Sequence, residues 1–304
     1  MPRFARYALL VLLLVAAVVA PRAARSETRS AARPANAKGG PAGDTSDSRA
    51  IGTPYRARMG YADLYIPSFF QVERGAYDVI VHFHGVANLQ EDNIERARLN
   101  AVVVSITLGI GSGAYSGYFE SPRAFDALLE KAQHEVEKSG RAPGARLGRI
   151  ALSAWSAGFG AVGRVLSQPG NAERIDAVLL ADGLHANYLN GRKINDEALA
   201  KYVAFASAAM RGDKLFALTH SSIQTEGYPS TTATIGELLT LTDVAKTATP
   251  GRIGVRNMRL LYQSDRGDFH VKGYEGMGVQ DHIDHIKAMY DTMFPYLKAR
   301  WSRR

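Results

Sequence analysis

The 304-residue chain contains no cysteine. No disulfide framework can hold it together, so its core must suffice without one even in an oxidising compartment. No thiol is available to carry a lipid. The apolar run from Leu9 to Ala20 is too short to span a bilayer. Gly109-Ile-Gly-Ser-Gly has neither the lysine nor the spacing of a phosphate loop. There is no internal repeat. A strong excess of one charge is also missing. Removing Met1 to Ser26 takes away four arginines and no acid, and the net charge falls from +8 to +4. A mature chain this mildly basic gives little reason to expect a nucleic-acid partner.

What is present is apolar material in plenty, 46% of the residues against 22% charged. That suits a large packed core. Met1 to Ser26 reads as a secretory signal, with an uncleaved membrane anchor as the alternative. Arg3 and Arg6 precede the apolar run, and Ala24-Arg25-Ser26 offers small residues for cleavage. The expected location is therefore periplasmic or secreted, with no stable membrane span after cleavage. Residues 27–50 are Ala, Gly, Pro, Ser and charges without an apolar period, which predicts a disordered linker. Residues 51–304 then form a single catalytic-size domain.

In that domain, short apolar runs alternate with helical patterns. Strands are expected at 62–70 (an edge strand, because of Pro67), 77–83, 101–108, 149–155, 175–181, 214–219 and 258–263, the last of the sheet. Gly109 to Gly117 reads as a loop. Ser121-Pro122 opens a helix with Phe125, Leu128, Leu129 and Ala132 on one side. Asp281 to Trp301 reads as one long closing helix. The alternation predicts an α/β fold: a doubly wound, mostly parallel sheet with helices on both faces. Functional residues then belong beyond the carboxyl ends of the strands. Those ends carry His84-Gly85, Ser156, Asp182 and His220.

Ser156 has Ala154 two residues before it and Gly158 two after it. A strand turning sharply into a helix needs small residues at both places, and it presents the serine hydroxyl in a strained backbone conformation. Ser153 lacks this pattern, because Trp155 follows at the position that must be small. The stretch resembles the nucleophile elbow of the α/β-hydrolase family, with Ala in place of the first Gly. The resemblance covers about residues 60 to 304 and implies the chain order Ser, acid, His. It puts the base at the junction of the Gly273–Gly278 loop and the closing helix, hence His282, with His285 and His270 as alternatives. Asp182 at a strand end is the expected acid, and Glu226 is the alternative. The amides of Val86 and Ala157 are the expected oxyanion donors. Tyr115, Tyr118 and Phe119 are candidates to line a substrate pocket.

Asp281, His282, Asp284 and His285 also have the look of metal ligands. On a helix, however, residue 282 points away from 281, 284 and 285, so no metal site is expected. No cofactor is implied either. The reading is an exported serine hydrolase that cleaves small-molecule or polymer carboxylic esters through an acyl-enzyme. A peptidase or acyltransferase with the same triad, or a secreted binding protein with the same fold, are the alternatives.

Overall fold

The computed structural model describes residues 52–303. The expected signal segment 1–26 and linker 27–50 lie outside the described residues. The strands are β1 Tyr55–Arg58, β2 Ala62–Ile66, β3 Ala76–Phe83, β4 Val102–Ile106, β5 Arg146–Trp155, β6 Ile175–Ala181, β7 Leu215–His220, β8 Thr247–Ile253, β9 Arg259–Arg266 and β10 Phe269–Tyr274. The helices are α1 Ala87–Ala97, α2 Ser112–Tyr118, α3 Pro122–Lys138, α4 Phe159–Leu166, α5 Asn171–Arg174, α6 Asp196–Met210, α7 Thr231–Leu241, α8 Val279–Lys287, α9 Met289–Thr292 and α10 Phe294–Ser302.

All ten strands form one sheet in the order β1-β2-β4-β3-β5-β6-β7-β10-β9-β8. The centre, from β4 to β10, is parallel. Antiparallel strands extend it at both ends. This is the expected α/β architecture, a mostly parallel sheet with helices on both faces.

The strand sequences explain why both faces are covered. In β3, Val79, Val81 and Phe83 enter one apolar cluster while Ile80 enters the other. In β5, Leu152 and Ala154 belong to the first cluster, and Ala151 and Trp155 to the second. Side chains alternate across a strand, so a continuous apolar run feeds two cores at once. The first core is closed by residues such as Phe125, Val162 and Phe205. The second is closed by Ile94, Ile286, Met293 and Leu297.

Four expectations are corrected. The strand from Ala62 ends at Ile66, before Pro67, and β1 outside it forms the edge. Gly109–Gly117 is not all loop: α2 occupies Ser112–Tyr118 and is anchored by the buried Tyr115. The strand from residue 259 is not the last, since β10 returns antiparallel to it and joins β7. The closing helix is broken into α8, α9 and α10, with Pro295 in the first turn of α10, where a missing N–H costs nothing. No helix among the described residues is long and apolar enough to cross a membrane.

Candidate active site

The carboxyl ends of three neighbouring strands share an uncommon backbone feature. His84 after β3, Ser156 after β5 and Asp182 after β6 have φ of 74°, 49° and 43°. Non-glycine residues pay for this left-handed conformation and keep it only where the surroundings impose it. Here crowding imposes it. A Cβ on Gly158 would lie 2.1 Å from the carbonyl oxygen of Phe83, and one on Gly183 would lie 2.7 Å from the nitrogen of Ser156. The elbow is thus wedged between the end of β3 and the Asp182–Gly183 turn. Ser156–Gly158 forms one 3₁₀ turn that leads directly into α4. The small residue expected at position 158 is required by a backbone contact, as the sequence pattern predicted.

Asp182 is buried, and both of its oxygens are engaged. Oδ1 accepts from the Ser221 amide at 2.9 Å and from the Thr231 hydroxyl at 2.8 Å. Oδ2 accepts from Nδ1 of His282 at 2.7 Å. Burial alone would raise the carboxyl's pKa. The charges of His285 and His282 and the bonds from His282 and Ser221 outweigh it and hold the group well below the usual carboxylate range. The bond to Asp182 uses Nδ1 of His282 and leaves Nε2 for exchanging a proton with a reacting group. The carbonyl of His282 accepts from the Trp155 indole N–H at 2.9 Å, and the two rings lie 4.7 Å apart.

On the other side of the elbow, a buried polar chain holds the turn after β3. Nε2 of His82 donates to the carbonyl of His84 at 2.8 Å, so its Nδ1, 2.8 Å from Ser153 Oγ, accepts from that hydroxyl. Burial pushes His82 down to about 3, which fits a neutral ring. His84 is pushed down to about 4, first by burial and then by the charge of His282, and it meets the Tyr115 hydroxyl at 2.7 Å. Gly85 follows at φ 105°, and Val86 then caps the N-terminus of α1. The amides of Val86 and Ala157 therefore lie on the two turns that the Phe83–Gly158 contact brings together.

The remaining candidates fall elsewhere. Tyr115 and Phe119 are fully buried, one bonded to His84 and the other packed on Phe83, so neither offers surface to a substrate. Tyr118 is exposed and packs on Tyr61. His270 lies inside β10, paired with Asp265 at 2.6 Å and stacked on Tyr296. It precedes the rim rather than following the last strand. His285 is buried against Thr219, and burial pushes it down to about 4. Glu226 is exposed on the loop after β7. The four residues weighed as metal ligands take four different partners. Asp281 accepts from Gly278, His282 binds Asp182, Asp284 pairs with Arg256, and His285 meets Thr219. Sequence reasoning missed Ser221, Thr231 and Trp155 as neighbours of the pair. The only advance signal was that each lies at a strand end or helix start on the rim.

No family model matches the chain, and no curated protein sequence matches it. Solved structures do. A zinc-bound cold-adapted esterase from an Arctic intertidal metagenomic library is 13% identical at a TM-score of 0.41, covering 81% of this chain and 92% of that one. The siderophore hydrolase EstB from Aspergillus nidulans is 15% identical at a TM-score of 0.46, covering 83% and 96%. A haloalkane dehalogenase variant from Bradyrhizobium elkanii is 9% identical at a TM-score of 0.43, covering 82% and 97%. Likenesses this distant carry no argument about chemistry. The fold stands on the sheet and the elbow.

Proposed function

We propose that the protein is an exported serine hydrolase acting on carboxylic esters. The observation that carries this reading is the 2.7 Å bond from His282 to a buried, doubly anchored Asp182, formed beside a serine in a left-handed elbow. In the proposed reaction the Ser156 hydroxyl attacks the ester carbonyl while Nε2 of His282 takes its proton. Asp182 fixes the histidine tautomer and stabilises the imidazolium. The amides of Val86 and Ala157 receive the oxyanion. His282 then gives its proton to the leaving alcohol, and water hydrolyses the acyl-enzyme by the same relay. Export is proposed from residues 1–26 alone.

The Asp182–His282 bond weighs against the binding-protein alternative, which needs a broken pair. Among the substrates that the same triad could open, the ester is preferred over a peptide because it is the less demanding acyl donor. The test is labelling with a fluorophosphonate. A working serine–histidine pair is labelled at Ser156, and labelling disappears in Ser156→Ala and His282→Ala. A folded protein that resists the reagent would leave only the fold.

A further inference from the structure

Trp155 sits where β5 hands over to the elbow. Ala154 belongs to the first apolar core and Trp155 to the second, so the indole lies on the face of the sheet that carries Ile286 of α8. There it holds His282 in two ways. Its N–H donates to the histidine carbonyl at 2.9 Å, and its ring lies 4.7 Å from the imidazole with the planes 32° apart. The indole is nearly all buried and has no other hydrogen-bond acceptor among the bonds described. The ring of His84 stacks on it as well, at 5.2 Å and 18°.

We propose that Trp155 is a positioning residue for His282: it fixes the backbone of the histidine through its N–H and favours the protonated imidazole through its ring. The effect on catalysis rests on the hydrolase reading above. The contact itself does not. An indole is the best aromatic partner for a cation, and the advantage grows when water is excluded. His282 becomes a cation during each proton transfer, so a face that favours the cation lowers the barrier rather than only tightening the ground state. The other groups around His282 are named by their elements. Asp182 after β6 favours its charge. His84 after β3, His185 after β6 and His285 on α8 would each oppose it if protonated, and burial keeps all three toward the neutral form. Asp281 and Asp284 share its helix, bonded to Gly278 and Arg256. Among these neighbours Trp155 is the one that touches both the backbone and the ring of His282.

The chain has two tryptophans, Trp155 and Trp301, so protein labelled with 5-fluorotryptophan gives two ¹⁹F resonances. The Trp155 line is assigned by its loss in Trp155→Phe. It is expected to shift with pH as His282 titrates. That transition should vanish in His282→Asn and persist in Ser156→Ala. In kinetics, Trp155→Leu is expected to lower kcat by roughly 10- to 100-fold with KM within about twofold, and to move the acid limb of kcat/KM to lower pH. Trp155→Phe, which keeps a ring but not the donor, should lose less and move the limb less. A merely structural role would lower activity without moving the limb. A pH-insensitive Trp155 line would overturn the proposal. So would a transition that survives His282→Asn and disappears in His84→Asn, or an unmoved limb in Trp155→Phe. Should Trp155→Leu not fold, the spectrum of the unmutated chain and Trp155→Phe still decide. A protein that resists fluorophosphonate yet shows the His282-dependent shift would support the contact and overturn only the hydrolase reading.

Discussion

Two aspartate–histidine pairs in this molecule are almost the same length and live in different worlds. Asp182 and His282 meet at 2.7 Å across the carboxyl ends of the parallel strands, and Asp265 and His270 meet at 2.6 Å on the β9–β10 hairpin. The Asp182 side chain is 2% exposed, whereas that of Asp265 is 39% exposed. Asp182 is gripped by a main-chain amide and a threonine hydroxyl. Asp265 has the side chain of Gln263. His282 stands near a strained serine elbow, while His270 is stacked on Tyr296 at the start of its strand. Bond length therefore does not set the proposed relay apart from the pair on the hairpin. Burial, anchoring of the acid and the neighbouring serine elbow do.

Substitution should separate the two pairs sharply. On short-chain p-nitrophenyl esters, Ser156→Ala and His282→Ala are each expected to lower kcat by at least ~10⁴-fold, as loss of a triad member does elsewhere. His270→Ala should stay within about threefold. Equal losses for the two histidines would erase the distinction.

The acids come next. Asp182→Asn leaves a carboxamide that can stabilise the wrong tautomer, and a loss of about 10³- to 10⁴-fold in kcat is expected. Asp265→Asn and Glu226→Gln should change kcat by less than about threefold. A larger loss for Glu226→Gln than for Asp182→Asn would move the acid to the loop after β7.

Anchoring of the acid gives a smaller effect. Thr231→Val removes one donor from Oδ1 of Asp182, and one hydrogen bond to a charged group is worth about 1.5–3 kcal/mol. A fall in kcat of roughly tenfold is expected, restored by Thr231→Ser. Gln263→Ala beside the other pair should have no measurable effect on kcat. Stopped-flow or steady-state assays at saturating substrate resolve both.

The smallest effect is on stability. His82, His84 and His285 are pushed down to about 3, 4 and 4 by burial, so the folded chain keeps them neutral while an unfolded chain protonates them below about pH 6.5. The unfolded state then binds more protons, and stability falls as the pH drops from 6.5 toward 4. Asp182 adds a second loss at lower pH, because its folded pKa is depressed and its contribution disappears as the carboxylate protonates. Calorimetry between pH 7.5 and 4.5 should show Tm falling, with a shallower slope in His285→Asn. A flat Tm across that range would mean that water reaches these rings.

Part of the candidate site was legible in the sequence. Ser156 announces itself because crowding against Phe83 and the Asp182–Gly183 turn forces small neighbours, and such a constraint is written locally. Asp182 was visible as an acid at the end of a buried run. The choice of His282 over His285 and His270 came from the family resemblance, which puts the base at the junction of the Gly273–Gly278 loop and the closing helix, and local pattern alone did not separate them. The helix of Ser112–Tyr118 was hidden by its glycines, which disfavour helix, while burial of Tyr115 overrides that preference. The β9–β10 hairpin was overlooked even though its two-residue turn, Gly267-Asp268, is a hairpin signal, and Gly267 takes the required positive φ of 59°. The anchors Ser221 and Thr231, like Trp155, carried no signal beyond a place at a strand end or helix start.

By itself, then, the sequence determined much of what depends on neighbours a few residues apart: the apolar runs that bury both faces of a sheet, the carboxyl ends of β3, β5 and β6, and the small-residue elbow. Tertiary structure alone decided which carboxylate meets which histidine. Asp182 and His282 are 100 residues apart, and Trp155 and His282 are 127 apart. Contacts over such distances depend on the order in which strands are laid side by side, and that order is set by the packing of two whole cores rather than by any residue's own preference.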